Sequence, residues 1–254
     1  MADADFPRLR ADVAAIAALL EPGPKDLRAR LGVAVGAIKD RIIFTTSFGI
    51  EDQLIAHHIF SDRLPIEVVT LDTGRLFPET YRVWQKTEER YQVRVRAVYP
   101  NADTLAALIA DQGINGFFHS KDARLACCAA RKIEPLRRAL SGAGAWLTGL
   151  RARQSAGRAS TKLVEWDLEH GLVKIAPLFD FTRDEVAADC TALEVPVNEL
   201  HAQGFASIGC APCTRAIQPG ETERAGRWWW ERDDSKECGL HVDPSGRLVR
   251  SAAA

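Results

Sequence analysis

Apolar residues recur along the first two hundred positions with two different spacings. Repeats of three and four residues predict amphipathic helices, whereas short apolar runs and strict alternation predict strands. The predicted helices cover residues 8–20, 27–38, 51–60, 78–90, 103–111, 128–140 and 184–193, the last opened by a capping-box pattern. The predicted strands cover residues 41–46, 66–71, 93–97, 145–148 and 172–176.

Strands alternate with helices in this part of the chain. Such alternation predicts an α/β fold, Rossmann-like, with a mostly parallel sheet flanked by helices. Because sheets of this kind bind ligands at the carboxyl ends of their strands, we expect the loops after residues 46, 71 and 148 to meet at one pocket.

The character of the chain changes at about residue 200. Apolar periodicity fades there, and Gly, Pro, Arg, Trp and Cys accumulate. We therefore expect an α/β nucleotide-binding domain with N-terminal helices over 1–200. The C-terminal segment over 201–254 is expected to belong to the same domain and to carry functional residues.

The composition limits the class of protein. The chain has 254 residues, a formal net charge of −1 and 26% charged residues, which argues against a disordered chain and a strongly basic nucleic-acid-binding protein. Apolar runs are too short to span a bilayer, and the N-terminus lacks an apolar signal core. We expect a cytoplasmic protein with neither a nucleic-acid nor a membrane partner.

Two predicted strand ends carry loops suited to a nucleotide. Ser47, Phe48 and Gly49 precede a helix, where backbone N–H groups can bind an anion. The spacing matches neither a Walker A loop nor a dinucleotide fingerprint. Leu71 precedes Asp-Thr-Gly, and the exposed backbone of such a strand end can bind an adenine edge. Ordinary capped turns remain the alternative for both loops.

Four cysteines form two pairs far apart in the sequence, Cys127 with Cys128 and Cys210 with Cys213. Four thiolates can complete a tetrahedral metal site. Side chains of adjacent helical residues diverge by about 100°, which makes a single small ion difficult to share. The pattern therefore favours a [4Fe–4S] cluster over zinc, and four unrelated buried thiols are the remaining alternative.

A fifth cysteine, Cys238, lies in a charge-rich segment beside Lys236 and His241. A thiol next to cationic groups ionises readily and can act as a nucleophile. An incidental surface cysteine is the alternative interpretation. Cys190 has no partner in the sequence and is expected to be a small core residue.

Several arginines accumulate in loops beside these motifs. The guanidinium group suits bidentate binding of phosphate or sulfate oxygens, although any single arginine can equally be a solvated surface charge. The residues concerned are Arg151, Arg153, Arg158, Arg215, Arg224 and Arg227.

These motifs occur together, and in the same order, in one known family. The chain resembles the assimilatory adenylyl-sulfate (APS) reductases of the APS/PAPS reductase family, over most of its length from about residue 40. The matching segments are SFGIED at 47–52, LDTGRLFPETY at 71–81, CCAARKIEPL at 127–136, TGLRARQS at 148–155, GCAPCTRAIQPGETERAGRWWWE at 209–231 and ECGLH at 237–241. The chain departs from the family pattern at Leu125-Ala126, where a basic residue is expected.

The resemblance implies a fold similar to that of the PP-loop adenine-nucleotide hydrolases. It also implies one [4Fe–4S] cluster per chain, held by the two cysteine pairs. The loop of Ser47, Phe48 and Gly49 would bind the phosphosulfate, and Leu71 and Gly149 would hold the adenosine. The cations expected to bind the substrate are Lys132, Arg151, Arg224 and Arg227.

The resemblance further implies a mechanism. The Cys238 thiolate attacks the sulfur of APS and AMP leaves, so that an S-sulfocysteine forms. His241 orients or activates the thiol, and thioredoxin or a glutaredoxin-like donor releases sulfite by thiol exchange. The cluster would hold Lys132 toward the sulfate. Family members also suggest a homo-oligomer.

Three other functions remain open from the sequence. The chain could reduce PAPS, which has an additional 3′-phosphate, or accept both nucleotides. It could be an ATP-dependent adenylating PP-loop enzyme, although Phe48 replaces a residue that is glycine in those loops. It could also be a zinc-stabilised binding protein without enzymatic activity.

Overall fold

The computed structural model describes residues 6–21, 23 and 25–231. The helices are α1 (Phe6–Leu20), α2 (Leu27–Ala37), α3 (Ile50–Ser61), α4 (Pro78–Tyr91), α5 (Ala102–Gln112), α6 (Lys121–Cys128), α7 (Glu134–Leu140) and α8 (Arg183–Ala192). The strands are β1 (Ile42–Thr46), β2 (Ile66–Leu71), β3 (Arg96–Val98), β4 (Ala145–Leu147), β5 (Val164–Asp167) and β6 (Leu172–Ile175). No helix within the described ranges is both long and apolar enough to cross a bilayer.

The six strands form one sheet in the order β3-β2-β1-β4-β6-β5. All neighbouring strands are parallel except β5, which pairs with β6 as an antiparallel edge hairpin. Alternate residues of β1 pack on opposite faces: Ile42 and Phe44 enter one apolar core, and Ile43 enters the other. The sheet is thus covered by helices on both sides, which confirms the predicted fold class.

Two strands differ from the sequence prediction. Strand β3 begins at Arg96 rather than at residue 93, because the backbone N–H of Val93 donates to the Glu88 carbonyl and that of Val95 donates to the Glu88 carboxylate. These bonds finish helix α4 and leave no donors for a sheet partner. Strand β5 was not predicted, since four residues offer too little alternation to reveal a strand.

The helical segment around the first cysteine pair begins earlier than predicted. Ser120 caps α6 by accepting from the Ala123 N–H at 3.1 Å. Between α6 and α7 the backbone forms a π turn over Ala129–Ile133, in which the Glu134 N–H donates to the Ala129 carbonyl. Pro135 lacks the N–H that would continue regular α-helical bonding, so the proline accounts for the irregular turn.

The chain after α8 returns across the carboxyl edge of the sheet. This segment contains two short 3₁₀ turns, over Glu199–Gln203 and Ala211–Cys213. The Ala211 N–H donates to the Arg75 carbonyl at 2.8 Å, which ties the segment to the loop after β2. The C-terminal residues up to 231 therefore help to form the site described next.

Candidate functional site

A cavity lies where β1, β2 and β4 end, as the strand order predicts. Residues from all three following loops line it, together with the returning segment 206–228. Of the residues singled out in the sequence, the following line this cavity: Ser47, Gly49, Leu71, Lys132, Gly149, Arg158, Arg224 and Arg227.

The loop after β1 is held by a buried carboxylate. Both the backbone N–H and the hydroxyl of Ser47 donate to Asp52 Oδ2, at 2.6 and 2.7 Å. Gly49 directly precedes α3, and Glu51 and Asp52 lie in the first turn of that helix. The backbone and hydroxyl donors predicted to bind an anion are thus engaged by a carboxylate on the adjacent helix.

Phe48 does not face the cavity. Its φ of 58° lies in the left-handed region, which is uncommon for a bulky residue. The ring is 1% exposed and stacks on Trp84 with 5.4 Å between ring centroids. Its side chain therefore packs on the core side of the loop, and the neighbouring Ser47 and Gly49 line the cavity.

Arg151 also lies behind the cavity wall. The side chain is fully buried, and its Nε donates to Glu51 at 2.8 Å while Nη2 contacts the Glu223 carboxylate. Burial opposes ionisation of Glu51, but Arg151 outweighs burial and the pKa of Glu51 is lowered. Arg151 thus holds two carboxylates in the wall, and Glu223 lines the cavity itself.

Position 149 requires glycine because its backbone lies against the carboxylate of Asp52. A Cβ at this position would lie 2.1 Å from Asp52 Oδ1, too close for any side chain. Burial raises the pKa of Asp52 to about 6 in spite of its bonds to Ser47. The loops after β1 and β4 therefore meet around the buried carboxylate of Asp52.

Four cations line the cavity. Lys132 comes from the π turn, Arg158 from a short 3₁₀ turn after β4, and Arg224 and Arg227 from the returning segment. Arg227 passes so close to Gly209 that a Cβ there would lie 2.2 Å from Nη2. Its guanidinium carbon lies 4.6 Å from the ring centroid of Trp228. This grouping of positive charge suits an anionic ligand.

The structure brings the two cysteine pairs together. Cys128, Cys210 and Cys213 are buried in one apolar cluster, and Cys127 packs against it; the aromatic members are Phe117, Trp228 and Trp230. The Thr73 hydroxyl lies 3.3 Å from the Cys210 sulfur. Burial disfavours a Cys210 thiolate, but Lys132 and this hydroxyl outweigh burial and lower the pKa of Cys210.

The donor set fits a thiolate-bound group. Soft thiolate ligands select zinc, copper(I) or iron–sulfur clusters, and a buried site enclosed by aromatic rings shields such groups from solvent. Within residues 6–231, no three Cys, His, Asp or Glu side chains converge tightly enough to enclose one metal ion. The four thiols pack in one apolar cluster, but among the described residues they do not converge on a position for a single ion.

Two predicted catalytic residues lie outside the described part of the chain, namely Cys238 and His241. Glu51 and Asp52 lie within the SFGIED segment, but the sequence predicts no role for either carboxylate, and it predicts none for Thr73. Carboxylates in the first turn of a helix are a recognisable signal, because the helix N-terminus stabilises negative charge. The contact between Thr73 and a cysteine distant in sequence leaves no such signal.

Comparison with known proteins connects this site to a family. The model of the phosphoadenosine phosphosulfate reductase domain matches residues 41–216. An adenosine 5′-phosphosulfate reductase from Sinorhizobium fredii (strain USDA 257) is 52% identical over 230 residues, 90% of this chain and 91% of its own. A protein of the same name from Allochromatium vinosum is 52% identical over 202 residues, 80% of this chain and 79% of its own.

Structural comparison gives the same result. The crystal structure of phosphoadenylyl-sulfate (PAPS) reductase from Candida auris, in a phosphate complex, superimposes with a TM-score of 0.65 at 25% identity. The match covers 85% of this chain and 98% of that one. The chain therefore belongs to the phosphoadenosine phosphosulfate reductase domain family, alongside proteins named adenosine 5′-phosphosulfate reductase.

Proposed function

We propose that this protein is an oxidoreductase that converts adenosine 5′-phosphosulfate to sulfite and AMP. The observation that carries the proposal is the cavity in which Lys132, Arg224 and Arg227 meet beside the four-thiol cluster. Relatives that are 52% identical over most of the chain carry the name of this activity. Arg158 lines the same cavity, and this group of cations matches a phosphosulfate, whose oxygens carry the negative charge of the substrate.

The proposed binding mode assigns the adenosine to the strand ends and the phosphosulfate to the cations. The backbone at Leu71 and Gly149 borders the nucleoside, and Ser47 with Gly49 borders the phosphate. Lys132, Arg224 and Arg227 neutralise the oxygens. Phe48 and Arg151 support this wall from behind.

The proposed chemistry is a series of three displacements at sulfur. The Cys238 thiolate attacks the substrate sulfur, the bond from that sulfur to the bridging oxygen breaks, and AMP leaves with the electron pair. One thiolate of a dithiol then attacks the Cys238 sulfur of the S-sulfocysteine, sulfite departs with the electron pair of the S–S bond, and a mixed disulfide with Cys238 forms. The second thiol of the dithiol attacks that bond, releases the Cys238 thiolate and closes the dithiol's own disulfide. The dithiol supplies both electrons, and His241 is proposed to orient the Cys238 thiol.

The proposed cofactor is one [4Fe–4S] cluster held by Cys127, Cys128, Cys210 and Cys213. When bound, the cluster would supply fixed charge beside the sulfonate site and would restrain the π turn that carries Lys132. The support for this assignment is the shared apolar cluster of four thiols.

The proposed reductant is thioredoxin or a glutaredoxin-like donor. Both keep protein thiols reduced in the cytoplasm, and the five cysteines in the described ranges form no disulfide. We therefore propose that the protein acts in that compartment. Assembly into a homo-oligomer stays a prediction, which sedimentation of the purified protein would test.

PAPS is the second candidate substrate. The similarity to the Candida auris PAPS reductase favours it, whereas the relatives that are 52% identical carry the name of the APS-reducing activity. We expect turnover with APS to exceed turnover with PAPS. Higher turnover with PAPS would make PAPS the preferred substrate and would leave the proposed reaction steps unchanged.

Intact mass spectrometry tests the proposal. Iron-loaded protein mixed with APS in the absence of reductant should gain one SO₃ group on Cys238, and the Cys238→Ser variant should gain none. PAPS is tested in parallel. If protein with a free Cys238 thiol gains no adduct from either nucleotide, the proposed function is wrong.

A Lys132→Ala variant tests the proposed cation site. We expect iron content equal to that of the wild type and at least tenfold slower adduct formation, because the lysine neutralises sulfonate charge in the transition state. Lys121→Ala, an exposed lysine of α6, is the matched control. Unchanged adduct formation by Lys132→Ala would contradict the assigned role.

A further inference from the structure

The side-chain amide of Gln154 joins four groups at the wall of the cavity. Its oxygen accepts from the backbone N–H of Arg151 at 3.2 Å and from Arg158 Nη1 at 2.5 Å. Its nitrogen donates to Glu51 Oε1 at 3.2 Å and to the Gly149 carbonyl at 3.4 Å. Both lone pairs of the oxygen and both amide hydrogens are therefore engaged, which is the full capacity of an amide.

These partners allow one orientation of the amide. A guanidinium group only donates and an ionised carboxylate only accepts, so the oxygen must face Arg158 and the nitrogen must face Glu51. Burial opposes ionisation of Glu51, but Arg151 outweighs burial and lowers the pKa of Glu51, which keeps that carboxyl ionised. Neither a carboxylate nor an apolar side chain at position 154 could make all four contacts.

The contacts of Gln154 divide into a fixed part and a cation of the cavity. Glu51 and Arg151 are joined directly at 2.8 Å, so this part of the wall has its own support. Arg158 ends a separate 3₁₀ turn, Ala156–Arg158. Its side chain is 7% exposed and lines the cavity. Gln154 thus connects the guanidinium of Arg158 to a wall that is already in place.

We propose that Gln154 is a positioning residue that holds the guanidinium of Arg158 toward the nucleotide half of the substrate. Arg158 and Gly149 lie on the same connection after β4, and Gly149 borders the nucleoside in the proposed binding mode. The three cations assigned to the phosphosulfate oxygens come from other segments. Because a guanidinium group is a rigid planar fork, fixing one of its N–H groups restricts the direction of the others.

Gln154 acts through Arg158 and touches no reacting atom, and the inference rests on the proposed nucleotide site. The test is a double-mutant cycle of Gln154→Met, Arg158→Met and the two together, with AMP affinity measured by calorimetry. Gln85→Met is the matched control, since Gln85 is an exposed amide on α4 that donates to Glu89 at 2.7 Å. All measurements use iron-loaded full-length protein.

We expect Gln154→Met to weaken AMP binding about tenfold, because the guanidinium is no longer preorganised for the ligand. In the Arg158→Met background the same substitution should change the affinity less than about twofold, because no cation is left to position. Gln85→Met should bind AMP as the wild type does.

The kinetics of Gln154→Met provide a second readout that does not depend on the Arg158 variant. The APS concentration that gives half the maximal rate of adduct formation on Cys238 should rise about tenfold, whereas the rate at saturating APS should stay within about twofold of wild type. A contact made equally with substrate and transition state changes affinity and not rate.

Three results would overturn the inference. Wild-type AMP affinity in Gln154→Met would mean that Arg158 needs no such anchor. An equal loss of affinity in the wild-type and Arg158→Met backgrounds would mean that Gln154 supports the wall independently of Arg158. A slower rate at saturating APS would place its effect on the reaction step. If wild-type protein itself neither binds AMP nor forms the adduct, the proposed function fails first, which distinguishes the two failures.

Discussion

Replacing Asp52 by asparagine should stabilise the protein at neutral pH. The carboxyl is 8% exposed, and burial raises its pKa from 3.8 to about 6. A carboxyl whose pKa is higher in the folded state costs stability once the pH passes that pKa. At 1.36 kcal/mol per pKa unit, the difference amounts to about 3 kcal/mol above pH 7. The N-terminus of α3 favours the charge and offsets up to about 1 kcal/mol of this.

The sign of the effect determines its pH dependence. Between the unfolded pKa of 3.8 and the folded pKa of about 6, the folded state binds the proton more tightly, so stability falls as the pH rises. Asparagine has no such proton and can still accept the bonds from Ser47. The gain in Asp52→Asn should therefore be largest at pH 7.5 and about half as large at pH 5.

Urea unfolding followed by tryptophan fluorescence measures this effect at both pH values. Asp167→Asn is the matched control with the opposite sign. Burial opposes ionisation of Asp167, but His170 at 2.9 Å outweighs burial and lowers the pKa of Asp167. The control should thus lose stability at both pH values. If Asp52→Asn is less stable than wild type at pH 7.5, or if its gain does not shrink at pH 5, the reasoning is wrong.

Three further substitutions test the wall, the loop and the thiol cluster. Gly149→Ala should abolish AMP binding in calorimetry, since a Cβ would lie 2.1 Å from a carboxylate oxygen; unchanged affinity would show that the wall relaxes. Phe48→Ala should lower the free energy of unfolding by roughly 3–5 kcal/mol in urea titrations, because the ring is buried against Trp84; a negligible loss would contradict that packing. Cys213→Ser should reduce bound iron to background in a colorimetric assay while Cys190→Ser retains it; equal iron contents would refute the ligand assignment.

The layout of the sheet could be predicted because it depends on local spacing. Each central strand is a short apolar run, and the parallel order follows from the intervening helices. The edge hairpin of β5 and β6 could not be predicted as fully, since β5 is only Val164–Asp167 and depends on its pairing with β6. The sequence also indicated where the loops meet, because the carboxyl ends of parallel strands share one edge.

Side-chain direction was less predictable than residue position. Phe48 and Arg151 lie in the expected loops, yet both point away from the cavity. Their directions are set by Trp84 for the ring and by Glu51 and Glu223 for the guanidinium. These partners are distant in sequence, so no local pattern records the contact. The same holds for Arg124, whose partner Glu231 lies on the returning segment.

The π turn over Ala129–Ile133 sets the angle between the side chains of Cys128 and Lys132. A π turn contains one residue more than the α-helical turn that it replaces, and one residue corresponds to about 100° of rotation around the helix axis. Deleting a single alanine from this turn would rotate the residues that follow it relative to Cys128, and so would change the direction of Lys132. The extra residue therefore sets the angle at which one continuous helical segment places the Cys128 thiol in the apolar cluster and Lys132 in the cavity wall.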